Sequence, residues 1–210
     1  MTQDGINKKS LFEIFEKMDD AALQNNKAPQ TLCIFGASAV LSYGSTQRQT
    51  ADIDIWKPAS IINDRILQQI TEAAGLDYNP MDYNQERPYL QIISEGIVKL
   101  PSYNHDTFKW SNGESNEIIW SGEKIRIVAP PASIVAAAKL VRAEPQDIDD
   151  IIFIMAAKNI TINDIKKAIS RFPESARELA QDNAVILDVT IQNAKENYKK
   201  NQRKNEGYER

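Results

Sequence analysis

Cysteine and histidine are almost missing from this 210-residue chain, which carries one of each, Cys33 and His105. A single cysteine excludes an intramolecular disulfide and any zinc site built on several thiolates. A single histidine excludes a multi-histidine metal centre. Carboxylates are left as the side chains able to hold an ion, and oxygen ligands suit Mg²⁺, Mn²⁺ or Ca²⁺. Charge of one sign is also lacking. Lys and Arg number 25 against 29 Asp and Glu, a net charge of −4, so no overall basic bias marks a nucleic-acid binder. No apolar run approaches a membrane span. The opening MTQDGINKKSLFEIF has neither the apolar core nor the cleavage site of a signal peptide. These absences lead to the expectation of a reduced, cytoplasmic protein with no membrane partner. What is present, 42% apolar residues, suffices for a sizeable core in one large domain or two small ones.

Periodicity orders the chain. Ser10 to Leu23 reads as an amphipathic helix, with Leu11, Ile14, Phe15 and Met18 on one face, Ser10 as N-cap and Glu13 completing a capping box. Thr31 to Phe35 is a short strand-forming run ended by Gly36. Ala37 to Tyr43 is a helix stopped by Gly44, and Ala51 to Trp56 alternates as a half-buried strand. Ile61 to Ala74 is a second amphipathic helix. Strand-like runs follow at Tyr89–Ile93, Ile97–Leu100, Glu117–Trp120 and Lys124–Val128. Ser94-Glu95-Gly96 and Ser121-Gly122-Glu123 read as hairpin turns. From Pro130 onward the pattern is helical: Ala132–Ala143, Gln146–Lys158, a helix opened by Thr161 and Asp164, and more helix after Pro173. The expected architecture is α/β (α+β), a mixed sheet with flanking helices over residues 1–128 and a helical domain over 129–210.

The chemistry converges on Asp52-Ile53-Asp54. Residues two apart on a strand share a face, so both carboxylates point one way while Ile53 and Ile55 point into the core. Aspartate is disfavoured in strands, and two like charges this close raise each other's pKa unless a cation sits between them. Solvated aspartates on a strand edge are the plain alternative. Upstream, Phe35-Gly36-Ala37-Ser38 ends a strand and opens a helix. Gly36 permits close backbone approach, helix N–H groups suit phosphate, and Ser38 adds a hydroxyl. Strand, Gly-Ala-Ser, helix, then a strand with two in-phase acids brings a phosphate cradle and a metal site to neighbouring positions of one sheet.

This arrangement resembles the nucleotidyltransferase superfamily. Gly36, Ala37 and Ser38 match its Gly-Ser-type turn, and Asp52 and Asp54 its Asp-x-Asp. Arg48-Gln49-Thr50-Ala51-Asp52-Ile53-Asp54 is similar to the signature of a bacterial branch that includes AbiEii-type toxins. Lys139-Leu140-Val141-Arg142 followed by Gln146-Asp147-Ile148-Asp149-Asp150 resembles that branch's helical motif, with Gln146 where a basic residue is usual. Lys139 and Arg142 share a helix face, as do Asp147 and Asp150, so a salt-bridge cluster is an equal reading of this motif. The resemblance implies that Asp52 and Asp54 hold Mg²⁺ (or Mn²⁺) and a nucleoside triphosphate. It also implies that Gly36, Ala37 and Ser38 cradle phosphates, that Lys139 and Arg48 neutralise charge, and that a nucleotidyl group passes to a hydroxyl of RNA, a protein or a small molecule. A toxin–antitoxin or phage-defence role, with an antitoxin-type partner, is implied in the same way. The superfamily's third acid has no clear counterpart. Gln91 occupies the centre of YLQII, and Glu95, Asp77 and Asp82 are the nearby acids. A catalytically inactive nucleotide-binding regulator, or a partner-binding protein retaining the fold, is the alternative.

The remaining reactive or aromatic residues read as structural. Cys33 lies in an apolar run and is expected in the core, and His105 in a polar loop. Trp56, Trp110 and Trp120 read as packing residues, and the basic stretch Lys199, Lys200, Arg203 and Lys204 as a solvated helix end.

Overall fold

The computed structural model describes residues 5–46, 48–81, 87–95 and 98–207, with side chains through 190. Helix α1 (Lys8–Gln24) buries Leu11, Ile14, Phe15 and Met18 as its periodicity requires. Its N-cap is Asn7, not Ser10. The Asn7 side chain accepts from the Ser10 amide at 3.1 Å, and the Ser10 hydroxyl accepts from the Asn7 amide at 2.9 Å. Ser10 is thus the third helical residue of a capping box one turn earlier than expected, and Glu13 has no part in it.

The strands assemble around two three-stranded sheets. In one, β1 (Gln30–Cys33) runs parallel to β8 (Ile125–Ala129), and β8 pairs antiparallel with β7 (Glu117–Ser121). In the other, β2 (Asp52–Trp56) and β3 (Asp77–Tyr78) lie parallel on either side of β4 (Tyr89–Ile93). An antiparallel bridge between Ile34 and Ile55 joins the sheets, with the Phe35 amide donating to the Asp54 carbonyl at 2.9 Å. Helix α2 (Gly36–Ser42) starts at this seam, and α3 (Asp64–Ala73), capped by Asn63, links β2 to β3. A separate ribbon pairs β5 (Tyr103–Asn104) with β6 (Lys109–Trp110).

The hairpin expected at Ser94–Gly96 is not formed by the described residues. Both neighbours of β4 run parallel to it, and residues 98–100 are not a strand. Gly96 and Ile97 lie outside the described residues. The hairpin at Ser121–Glu123 does form, and α1 staples it. The buried Asp19 carboxylate accepts from the amides of Glu123, Lys124 and Ile125 at 3.0, 2.7 and 2.7 Å. A Cβ at position 122 would lie 2.4 Å from that carboxylate, so only glycine fits.

Four helices complete the chain: α4 (Ala132–Arg142), α5 (Pro145–Lys158), α6 (Ile162–Ile169) and α7 (Glu174–Gly207). Helix α4 packs against the other three and touches α2. Its residues Ile134, Val135, Ala136, Ala137 and Leu140 are almost wholly buried. Each buried Ile, Val or Leu contributes roughly 1.5–3 kcal/mol. The buried residues of the sheets and of these helices form one continuous cluster. Ala143 ends α4 in the left-handed region at φ 53°, which turns the chain into Pro145 at the start of α5. Among the described residues no helix is long and apolar enough to cross a membrane.

Candidate active site

Strand β2 presents its residues as the alternation requires. Ile53 and Ile55 are buried at 1% and 0% exposure, while Asp52 and Asp54 are half-buried on the other face. Thr50 holds Asp52, its hydroxyl donating to a carboxylate oxygen. Asp54 sits against the start of α2. Gly36 has φ +60°, and a Cβ there would lie 2.5 Å from Asp54 Oδ2. Glycine is therefore required at 36 twice over, for its backbone conformation and for the carboxylate that occupies the space beside it. Burial, and then the neighbouring Asp52 charge, push the Asp54 carboxyl up to about 7, against the opposing pull of Lys139.

These groups line a cleft of about 620 Å³ between the sheet and helices α4, α5 and α7. Gly36, Ala37, Arg48, Asp52, Asp54 and Lys139 all face it. Ser38 does not line it. Its side chain is buried and its hydroxyl donates to the Asp52 carbonyl at 3.1 Å, tying α2 to β2. The hydroxyl assigned to the phosphate cradle is thus engaged beneath the site.

The cations are unequally available. Lys139 is 8% exposed, with Nζ 2.7 Å from Asp150 Oδ2 and 3.2 Å from Asp147 Oδ1. Arg142 grips Asp147 through two hydrogen bonds, of 2.7 and 2.9 Å, yet its side chain is 60% exposed. Arg48 Nε lies 3.6 Å from Asp150. Burial would raise the Asp147 carboxyl, but its hydrogen bonds and charge contacts with Arg142 and Lys139 outweigh that and hold it below its ordinary value. The salt-bridge cluster that the helical motif allowed is therefore formed, and it makes one wall of the cleft.

Three features escaped the sequence reading. Lys99, exposed and donating to Ser175 at 2.7 Å, lines the cleft. Val98, Val141, Ala176 and Leu179 give the cleft an apolar side. Thr50 acts as the support of Asp52. Thr50 carried a signal, standing two residues before Asp52. Lys99 and Leu179 carried none, since they come from distant parts of the chain.

Among the described residues no third carboxylate joins the pair. Gln91 stands directly beside Asp54 in the β2–β4 register. Glu95 is exposed, Asp77 pairs opposite Tyr89 on β3, and neither lines the cleft. Asp82 lies outside the described residues. Among the described residues no group of three or more His, Cys, Asp or Glu side chains could hold a metal.

The other candidates are structural. Cys33 is fully buried and burial pushes its thiol well up. His105 is exposed in its loop, edge-on to Tyr103. Trp56 and Trp110 are buried, Trp110 donating to Asn116 at 2.7 Å, and Trp120 packs on Phe15.

Comparisons with curated proteins and with solved structures return no match. Among family models, one described as a nucleotidyltransferase of unknown function (DUF6036) matches residues 9–203. It names the nucleotidyltransferases without singling out the AbiEii-type branch. A match over this span, on a chain whose cleft brings a Gly36 turn against an Asp52–Asp54 pair, makes the protein a member of the DUF6036 family of nucleotidyltransferases of unknown function.

Proposed function

We propose that the chain transfers a nucleotidyl group from a nucleoside triphosphate to an acceptor hydroxyl on RNA, a protein or a small molecule, with Mg²⁺ (or Mn²⁺) held by Asp52 and Asp54. The observation that carries this reading is the Asp54 carboxylate seated against Gly36, in phase with Asp52, in a cleft with cations on its other wall. The pair fits a hard divalent ion. Its donors are oxygens, and the repulsion that raises Asp54 to about 7 is what a bound cation would offset. Asp52 and Asp54 would hold such an ion, which would supply positive charge to stabilise negative charge on the triphosphate.

The chain's own residues supply the rest. Thr50 fixes the Asp52 carboxylate, and Gly36 lets backbone and substrate approach each other. Arg142, exposed on one side, is the cation best able to meet phosphate, with Lys99 at the apolar side. Lys139 acts through its field, because its ammonium is already held by Asp147 and Asp150. Arg48 adds positive charge beside it. The acceptor hydroxyl gives its proton to solvent, its oxygen attacks the α-phosphorus, the bond from that phosphorus to the oxygen bridging the β-phosphate breaks, and pyrophosphate leaves. Positioning and electrostatics carry such transfers.

A second reading has its own support. Gln91 stands where a third acid beside Asp54 would activate the acceptor, and an amide has no useful proton affinity. A regulator that binds nucleotide without transferring it fits that residue. The test is incubation with α-labelled ATP, GTP, CTP and UTP, Mg²⁺, and RNA or protein acceptors. Label transferred by the wild type and not by Asp54→Ala supports the transferase. Binding without transfer supports the regulator, and binding of no triphosphate overturns both. A toxin role, as in the AbiEii-type resemblance, predicts that expression arrests growth and that Asp54→Ala relieves the arrest.

A further inference from the structure

Among the described residues two hydroxyl side chains line the cleft, Thr50 and Ser175, and they are held in opposite senses. Thr50 donates its proton to the Asp52 carboxylate. Ser175, near the start of α7, accepts instead. Lys99 Nζ donates to its Oγ at 2.7 Å, and the Ser175 hydroxyl itself donates to no group among the described residues. Its proton is therefore uncommitted. Ser175 is also exposed, so solvent can take that proton.

Lys99 changes the chemistry of this oxygen. An ammonium hydrogen-bonded to a hydroxyl oxygen favours the alkoxide over the alcohol, which helps the oxygen attack as its proton leaves. Lys99 enters no ion pair among the described residues, so its charge is not shared with a carboxylate. Such help matters in this cleft. Gln91, beside Asp54, cannot take a proton from an acceptor. A hydroxyl that comes with its own cation depends least on the missing base.

The size of the cleft brings its two walls to one ligand. About 620 Å³ lies in the range that encloses a single small molecule. Asp52 and Asp54 line it from β2 and Ser175 from α7. A triphosphate loaded at the carboxylates therefore shares its space with Ser175 Oγ.

We propose that the chain is its own acceptor and nucleotidylates Ser175. This rests on the transferase reading of the cleft. The Ser175 hydroxyl gives its proton to solvent and Oγ bonds to the α-phosphorus. The bond from that phosphorus to the oxygen bridging the β-phosphate breaks, its electron pair stays on that oxygen, and pyrophosphate leaves. The product is a phosphodiester between Ser175 and the nucleoside, its single negative charge beside the Lys99 ammonium. The reaction runs within one chain, because acceptor and carboxylate pair line the same cleft.

The test is incubation of the full chain, with no other acceptor, with Mg²⁺ and each of ATP, GTP, CTP and UTP, labelled at the α- or the γ-phosphate. Intact mass and tryptic mapping read the result. Trypsin cuts after Arg171 and Arg177, and the peptide Phe172–Arg177 holds one hydroxyl, that of Ser175. With at least one triphosphate the wild type should gain one nucleoside monophosphate on that peptide, from the α- and not the γ-label. Ser175→Ala, checked by thermal melting, should lose the label on that peptide. Lys99→Met should slow labelling at least about tenfold and Lys99→Arg should restore it. In a mixture with wild type, Asp54→Ala should stay unlabelled. Label on another peptide, label from the γ-phosphate, or labelling of Asp54→Ala by the wild type overturns the proposal. Labelling of Lys99→Met at the wild-type rate overturns the part given to Lys99. Label reaching an added RNA or protein but never the chain overturns this inference and leaves the transferase reading standing. Triphosphate binding with no label on any acceptor overturns both.

Discussion

Two pairs of aspartates border the same cleft region and are treated in opposite ways. Asp147 and Asp150, three apart on α5, are enclosed by Lys139, Arg142 and Arg48, and Asp147 is held below its ordinary carboxyl value. Asp52 and Asp54, two apart on β2, lie against a hydroxyl and a glycine respectively, Thr50 on Asp52 and Gly36 on Asp54, and Asp54 is pushed up to about 7. Both pairs are equally charged; the counter-charge around them is what differs. The helical pair is neutralised by the chain itself, whereas the strand pair keeps its repulsion, which under the proposed function a bound cation would relieve.

The largest effect is expected from breaking the neutralised pair. Asp147→Ala strands Lys139, 8% exposed, with one partner fewer and releases Arg142. A loss of about 3–5 kcal/mol in urea unfolding is expected. A loss below 1 kcal/mol, of the order typical for exposed ion pairs, would show that the cluster does not hold the helices together.

The strand pair should answer to pH in the reverse sense. The folded value of Asp54, about 7, lies above its ordinary 3.8, so the folded state keeps the proton longer. The Asp54 contribution to stability should then be fully present below about pH 4, fall by a few kcal/mol as pH rises towards about 7, and level off above it. Asp54→Asn should flatten that limb of the stability–pH curve, and Mg²⁺ should restore wild-type stability at the alkaline end. An unchanged slope in Asp54→Asn would assign it to other groups.

Gly36→Ala comes next. The left-handed backbone costs about 1–2 kcal/mol with a Cβ, and contact with Asp54 Oδ2 adds to it. Combining it with Asp54→Ala removes the contact, so the double-mutant cycle should return a coupling of about 0.5–3 kcal/mol. Zero coupling would mean that the carboxylate is not seated there. The smallest change belongs to the half-exposed pair Lys166–Asp188, where Asp188→Ala should cost under about 1 kcal/mol.

Much of this comparison was legible in the sequence, and its limits are physical. Period-two alternation in Ala51–Trp56 correctly set Asp52 and Asp54 on one face, because side-chain direction on a strand depends only on position. The breakers Gly44, Pro145 and Pro173 marked the helix ends for equally local reasons. Partners are not local. Ser38 looked like a phosphate hydroxyl until its bond to the Asp52 carbonyl was seen, and Lys139 like a free cation until Asp147 and Asp150 closed on it. The Ser94–Gly96 turn signal failed because β4 sits between two parallel neighbours, a matter of topology that turn residues do not encode. At α1 two capping boxes competed within one turn, and Asn7 with Ser10 prevailed over Ser10 with Glu13.

Under the proposed function, the Asp52–Asp54 pair on β2 loads a divalent ion together with a nucleoside triphosphate. Calorimetric titration of ATP, GTP, CTP and UTP, each with Mg²⁺, into wild type and Asp54→Asn tests it most directly, at about pH 8 so that Asp54 is ionised. At least one triphosphate should bind the wild type, chelating the Mg²⁺ should abolish the heat, and Asp54→Asn should melt as a folded protein yet give none. Equal binding by the variant, or no binding by the wild type to any of the four, would contradict it.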